Sequence, residues 1–368
     1  MSLGIRDGHM FSLRLVERPM PTGSRDPDVL LDWLLDSMGL VRRRADQLGG
    51  DEQTGALHRI MREALLADPL RGWDSKELGD QTGLSNTGVH HHMTKLRECG
   101  LVSTQVEGKW HRHILRGGSM ASATALVSAQ ASAVLDLRMS ELSRMVEPSE
   151  ARMAAEAEDE EIPFSIRVAE SGPREEGVDQ ASALAKDLGL AGDGQKGGGS
   201  LSRDLLVELC SSHQPVTLLA LSERLSESRG RVNTVVDRMR SAGILERAPM
   251  IDRIPQDVFA GISRQFDARG EEWLMTRGGL GRLEEPVAEA LVKGVKSGSL
   301  DIDAVRGILE PVPTGDQRVL LNTLGGRMPF GVRLAGSDGE AVSSRVRGHA
   351  DRVLRRIRTV AQRLDEAE

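Results

Sequence analysis

Residues 76–102 read KELGDQTGLSNTGVHHHMTKLRECGLV, and residues 219–245 read LALSERLSESRGRVNTVVDRMRSAGIL. Shifted by 143 positions, the two stretches share one apolar skeleton. Leu78 matches Leu221, Val89 matches Val232, Met93 matches Val236, Leu96 matches Met239, and Gly100-Leu101 matches Gly243-Ile244. The first copy predicts a helix, a turn and a second helix. A short helix starts near Asp74 or Ser75 and turns Leu78 inward. Thr82-Gly83-Leu84-Ser85 makes the turn, with Gly83 free to take a positive φ. Ser85, matched by Ser228, caps the second helix through its hydroxyl. Val89, Met93 and Leu96 recur at helical spacing and face a core, and Gly100 ends the helix. A strand from Leu101 to Val106 then turns at Glu107-Gly108 and returns through Trp110 to Leu115. Helix, turn, helix and hairpin together form a winged helix.

In the second copy the helix is expected over about 228–242, with a longer wing over about 246–276 that contains Pro249 and Pro255. The two wings are expected to end alike, at 115–118 and 276–279. Each is followed by a helix, over about 120–146 and 283–296.

A shorter repeat lies outside these units. MFSLRLVE (10–17), PFSIRVAE (163–170) and PFGVRLAG (329–336) alternate apolar and polar residues as half-buried strands do. Phe11, Leu13 and Leu15 share one face and Arg14 points to the other. Arg167 and Arg333 hold the same place in the other two strands. Each strand leads through a polar loop into a helix, over about 28–40, 178–190 and 343–364. An isolated strand-helix piece of this size is not stable alone, so the three are expected to meet in one small sheet.

The fold expected is therefore α+β and mainly helical, with two winged helix-turn-helix domains joined by three strand-helix units. The boundaries are 1–48 (strand-helix), 54–117 (first winged helix), 118–147 (linking helix) and 160–191 (strand-helix). They continue with 201–279 (second winged helix), 280–310 (helical linker) and 314–368 (C-terminal strand-helix). Linkers are expected at 48–54, 148–161 and 191–200. The last reads AGDGQKGGGS, which lacks the Gly-Lys-Ser/Thr ending of a phosphate loop.

A length of 368 residues suits several domains. With no tyrosine and only 5 phenylalanines, the cores must rest on aliphatic residues and methionine. A net charge of −7 excludes a uniformly basic coat but not one basic docking face. The acids gather at Glu156, Glu158, Asp159, Glu160 and Glu161. Cys99 and Cys210 lack metal-ligand spacing and suit a reducing compartment. Residues 1–20 have no signal-peptide layout and no apolar run approaches membrane length. A cytoplasmic location with no membrane partner is expected.

Gly83-Leu84-Ser85, Val89, His92-Met93, Leu96 and Gly100-Leu101-Val102, followed by EGKWHRHIL, resemble ArsR-like winged-helix regulators. The resemblance covers 56–117 and, less closely, 202–279. It implies binding to double-stranded DNA, a dimeric arrangement, and release on binding a metal or small effector. The metal-binding cysteines of the metal-sensing members have no counterpart, because Ser75-Lys76-Glu77-Leu78-Gly79 stands at that place. With two units in one chain, part of the dimer is expected to be internal.

A helix in the major groove reads bases with the side chains near its N-terminus. The outward positions are Ser85, Asn86, Thr87, His90, His91 and Lys95 in the first unit, with Lys109, His111, Arg112 and His113 on the wing. In the second unit they are Ser228, Arg229, Arg231, Asn233, Thr234 and Arg238. Asn, His and Arg suit base edges, and Lys, Ser and Thr suit phosphates as well. The bland alternative is a solvated helix face. His90-His91-His92 with His111 and His113 also invite a metal reading, but His92 falls where the core packs and His90 and His91 on the outward arc. No metal and no cofactor are expected. Arg14, Arg167 and Arg333 are read as outward polar positions that could form a ligand or partner surface. The C-terminal arginines 345–358 could touch DNA or pair with the acidic linker.

The function expected is a DNA-binding transcriptional regulator. The alternative is a tandem winged-helix adaptor or chromosome-associated protein that binds other proteins. Further partners weighed are a small-molecule effector, a protein and a second copy of the chain. No nucleophile-base pair, phosphate loop or metal spacing points to an enzyme.

Overall fold

A computed structural model describes residues 10–41, 55–108, 110–158, 162–173, 178–192 and 198–367. The chain is mainly helical with small antiparallel sheets. It opens with β1 (Ser12–Val16) and α1 (Pro27–Ser37). Next comes α2 (Ala56–Arg59), which runs on as a π-helical stretch over Ile60–Leu65. Then follow α3 (Ser75–Thr82), α4 (Asn86–Glu98), β2 (Val102–Glu107), β3 (Trp110–Leu115) and the long α5 (Met120–Ser143). The order restarts with β4 (Ser165–Ala169), α6 (Gln180–Asp187), α7 (Gly198–Ser211), α8 (Leu218–Arg224), α9 (Arg229–Ser241) and β5 (Leu245–Pro249). Four more helices intervene: α10 (Ile254–Thr276), α11 (Glu285–Ser297), α12 (Ile302–Leu309) and α13 (Thr314–Thr323). The chain closes with β6 (Phe330–Leu334) and α14 (Gly339–Ala367).

The local chemistry follows the sequence closely. Asp74 and Glu77 form a reciprocal capping box at the start of α3. Gly83 takes φ 68 at its end, and the Ser85 side chain accepts from the Gly88 N–H to start α4. In the second copy Thr217 caps α8 and Ser228 caps α9. The left-handed turn position held by Gly83 falls there on Ser226, at φ 52. Val89, Met93 and Leu96 are buried, as are Val232, Val236 and Met239.

The strands assemble differently from the single sheet expected. Among the described residues there are three two-stranded antiparallel sheets. β1 pairs with β4, with Arg14 opposite Arg167. The third repeat does not join them, because β6 pairs with β5. In that role β6 matches β3. Val102 pairs with Leu115 in one hairpin and Leu245 with Leu334 in the other. The Arg116 N–H donates to Leu101 O at 2.9 Å, and the Ala335 N–H donates to Ile244 O at 2.9 Å. The segment leading into each helix pair, α3–α4 and α8–α9, bridges the returning strand, Trp73 to His113 and Val216 to Val332.

The second hairpin therefore does not end at 276. Its tip opens at Pro249 and Phe330, the last cross-strand partners, and holds the whole of α10–α13 between them. These helices enclose a separate apolar core that includes Ile254, Val258, Ile262, Leu291 and Leu321. The segment 276–279, read as a wing end, is the end of α10 and the turn after it. The helix that corresponds to α5 is α14, not α11. Ser119 caps α5 and accepts from the Ser122 N–H, and Asp338 likewise accepts from the Ala341 N–H.

α5 and α14 pack antiparallel. The Asp365 carboxylate accepts from the N–H groups of Met120 (3.0 Å) and Ala121 (2.8 Å) at the start of α5. That places a negative charge on the positive end of a helix dipole. At the other end of the seam the Ser343 hydroxyl donates to Met139 O at 3.0 Å. An approximate internal two-fold thus relates the two halves. One continuous core runs across it, from Leu13 and Leu34 through Val127 and Leu135 to Val346 and Ile357. Each such aliphatic side chain contributes about 1.5–3 kcal/mol by leaving water, so neither half holds its own share of that core intact without the other.

Contrary to the sequence reading, α5 is long and apolar enough to cross a membrane by length and composition, with a mean hydropathy of 1.2 over its best window. Here α14 covers its buried face, and Arg138 on it pairs with Asp187 at 3.1 Å. The segment 148–161, read as a linker, includes a helical turn at Glu150–Met153 whose Arg152 is 1% exposed. The Arg152 guanidinium donates to the carbonyls of Glu147, Ser212, Gly336 and Ser337 at 2.8–3.3 Å and ties the segment to the end of β6. Residues 159–161 of the acidic run, and 193–197 of the glycine-rich segment, lie outside the described residues.

Candidate nucleic-acid interface

The outward side of α4 is open. Ser85, Asn86, Thr87, His90 and His91 are exposed, while Val89 and Met93 between them are buried. Ser85 is partly committed as the cap. His92 is half-buried, and burial followed by the neighbouring His91 and Lys95 lowers its pKa, so a neutral ring is favoured. Lys95 is half-buried at the inner end of α4. It lines a small cleft of about 150 Å³ with Glu98, Arg14 and Arg167 rather than continuing the open arc.

The hairpin β2–β3 carries His111 exposed near its tip, beside exposed Val106 and Trp110. Lys109 lies outside the described residues. Two wing positions differ from expectation. Arg112 turns back onto α3, where it meets Glu77 at 2.9 Å and Asp74 at 3.6 Å and donates to Gly72 O at 3.2 Å. It bolts the hairpin to the capping box and is not a free cation. His113 is 4% exposed, with Nδ1 2.9 Å from the Thr104 hydroxyl. Burial first, then the charges of Arg97 and His111, push its pKa down to about 4. Alternation along β3 sends the two to opposite faces, Arg112 to the α3 capping box and His113 to the side of its cross-strand partner Thr104.

The second unit presents a more basic face. Ser228, Arg229, Arg231, Asn233 and Thr234 are exposed on α9. Arg231 pairs with Glu227 at 2.6 Å, one turn earlier, and Asn233 donates to Asp237 at 2.8 Å. Both are surface contacts of the kind worth a few tenths of a kcal/mol, so a competing phosphate or base can displace them. The Thr234 hydroxyl bonds back to Gly230 O at 2.9 Å. Arg238 departs from the outward set. It packs on Gly192 and donates to Ala191 O at 3.3 Å, which fastens α9 to the loop after α6.

Of the three strand arginines, Arg14 and Arg167 are half-buried beside each other on β1 and β4. Arg333 is not a surface residue. It is 2% exposed and donates to buried Glu246 through Nε (3.0 Å) and Nη2 (2.8 Å) and to Arg152 O (2.6 Å). Pairing with β5 sets Arg333 beside Glu246, the turn at Glu150–Met153 packs over it, and its charge is matched where it is buried. Arg345, from the C-terminal arginine run, shares the same Glu246 at 2.8 Å.

Cys99 and Cys210 are buried free thiols pushed up to about 12 by burial, so they are packing residues. Among the described residues no group of three His, Cys, Asp or Glu side chains is placed to hold a metal. No known family model, no curated protein and no solved structure matches the chain.

Proposed function

We propose that the chain is a sequence-specific DNA-binding regulator in which two winged helix-turn-helix units form a dimer within one polypeptide. One observation carries this reading. Positions 85–91 and 228–234 leave polar side chains in solvent at corresponding places at the starts of α4 and α9, over buried matching skeletons, and the two copies are related by the internal two-fold. The exposed residues of α4 and α9 enter the major groove, and the β2–β3 tip with His111 lies along the backbone. A second copy of the chain is not needed to complete the pair, and a cytoplasmic location belongs to the same proposal.

The buried positions of the two helices agree, but the outward ones do not. α4 offers Asn86, Thr87, His90 and His91; α9 offers Arg229, Arg231, Asn233 and Thr234. Arginine favours guanine and asparagine favours adenine. The operator is therefore expected to hold two unlike half-sites rather than a palindrome. Selection from a random duplex pool tests this. The expected product is two different motifs about one helical turn apart. Arg231→Glu should weaken binding and relax only one motif. Sequence-blind binding that Arg231→Glu and Asn86→Asp leave unchanged would sink the proposal.

One observation favours a second reading, an adaptor for other proteins. α10–α13 stand where the second unit would extend its wing tip, with a core of their own. Under that reading the chain retains a protein partner through α10–α13 and shows only weak, salt-sensitive DNA binding.

A further inference from the structure

A cleft of about 580 Å³ lies where the halves meet. Its walls are the lead-in to β4 at Phe164, the exit from β1 at Glu17, the end of α9 at Arg240, and one face of α14. That face carries Arg345, His349, Arg352 and Arg356, one residue per turn. The volume lies within the range of small-molecule sites.

The cations are not all consumed by the fold. Arg345 meets Glu246 at 2.8 Å and Arg356 meets Glu17 at 2.9 Å. Glu246 already serves Arg333, so one carboxylate answers two guanidinium groups. Among the described residues no carboxylate pairs with Arg352. Its guanidinium faces Nδ1 of His349 at 2.9 Å. The His349 ring stacks on Phe164 with centroids 5.3 Å apart. Burial, then Arg352 and Arg345, lower the His349 pKa, so a neutral ring accepts from Arg352 and holds it at the rim.

The internal repeat supplies a control. A cleft in the other half is lined by Phe11, Glu170 and Glu98, the matches of Phe164, Glu17 and Ser241, but by Lys186 and Asp187 where the first has a helix face. The α5 positions that match Arg345, His349, Arg352 and Arg356 are Leu126, Gln130, Ala133 and Leu137, none of which lines that cleft. The fold therefore does not require arginine at these sites. Its two halves have diverged from apolar and neutral to cationic on this one face.

From this geometry we propose that the α14 cleft binds a small phosphorylated anion, held by Arg345, Arg352 and Arg356. Planar guanidinium groups present paired N–H donors that match phosphate oxygens. The site stands apart from the DNA reading and is tested without DNA.

The test is calorimetric titration of the full chain with pyrophosphate, and separately with citrate, at matched ionic strength. Pyrophosphate should bind saturably at one site and raise the melting temperature. Arg352→Ala should weaken it about tenfold or more, because a charge-assisted contact is lost. Among the described residues Arg352 has no carboxylate partner to orphan, so this variant should fold. Arg358→Ala, on an exposed position of α14 outside the cleft, should leave affinity unchanged. Three outcomes would each overturn the proposal: no saturable pyrophosphate binding, equal losses in the two variants, or citrate binding as tightly as pyrophosphate.

Discussion

Arg14 and Arg167 stand directly opposite each other in the β1–β4 ribbon, at matching positions of the two repeats. Such self-pairing happens only where a two-fold passes, so this pair marks the axis of the molecule. Each arginine packs over a glycine whose backbone lies in the left-handed region, which favours glycine. A Cβ on Gly39 (φ 62) would lie 2.7 Å from Arg14 Cβ, and one on Gly189 (φ 71) would lie 2.7 Å from Arg167 Cβ. Like charges opposite one another in a sheet are unfavourable by a few tenths to about 1 kcal/mol. In a double-mutant cycle of Arg14→Gln and Arg167→Gln, the coupling should therefore be repulsive. Urea melts at low salt measure it, and it should vanish in about 1 M salt, where screening acts within about 3 Å. An attractive coupling would show that the two side chains are bridged rather than opposed.

Ser226 holds the turn before α9 at φ 52, where the first copy has Gly83 at φ 68. A side chain in this region costs about 1–2 kcal/mol, partly offset by the greater chain entropy that glycine loses on folding. Ser226→Gly should raise stability by about 0.5–1 kcal/mol, and Gly83→Ser should lower it by at least as much. Paired denaturation curves check both signs at once.

The insertion α10–α13 leaves and rejoins the hairpin at neighbouring residues, with the Met250 N–H donating to Pro329 O at 2.9 Å. Replacing residues 250–329 by Asn-Gly should close β5 onto β6 as a two-residue hairpin. The shortened chain should keep the α5–α14 seam and unfold cooperatively, losing surface contacts such as Glu158–Arg318. Circular dichroism and a melting curve test it. A chain that no longer folds would mean that the two cores depend on each other.

His113 gives the first hairpin a pH dependence. Its folded pKa of about 4 lies below the ordinary 6.5. Between these values the unfolded chain binds a proton that the native chain does not, so stability falls as pH falls. The contribution is complete above about pH 6.5. It declines by up to about 1.4 kcal/mol per pH unit and is gone below about 4. His92 and His349, also lowered, act with the same sign. His113→Gln should flatten the fall of melting temperature between pH 7 and 5 without abolishing it.

The helices α3, α4 and α9 were legible because their signals are local. Caps at Asp74, Ser85 and Ser228, a left-handed glycine at 83 and apolar residues at helical spacing act within a few residues of each other. The candidate surface was legible to the same depth: what lies between Val89 and Met93 on α4 must point away from the core. Arg112, His113 and Arg238 were misplaced because their surroundings come from distant segments. Helical and strand periodicity state which side of an element is polar, but not what stands opposite.

The sequence by itself determined the duplication, the matching helix pairs α3–α4 and α8–α9, and strands with one apolar and one polar face. Only the tertiary structure decided which strand edges join, that residues 329–336 close the second hairpin instead of meeting β1 and β4, and that Arg333 is buried against Glu246. The physical reason is that alternation fixes a strand's faces but leaves its hydrogen-bonding edges identical to any other's. Partner choice then falls to long-range packing. Here β5 took one edge of PFGVRLAG and Val216 bridged the other, and the antiparallel seam of α5 and α14 held it there.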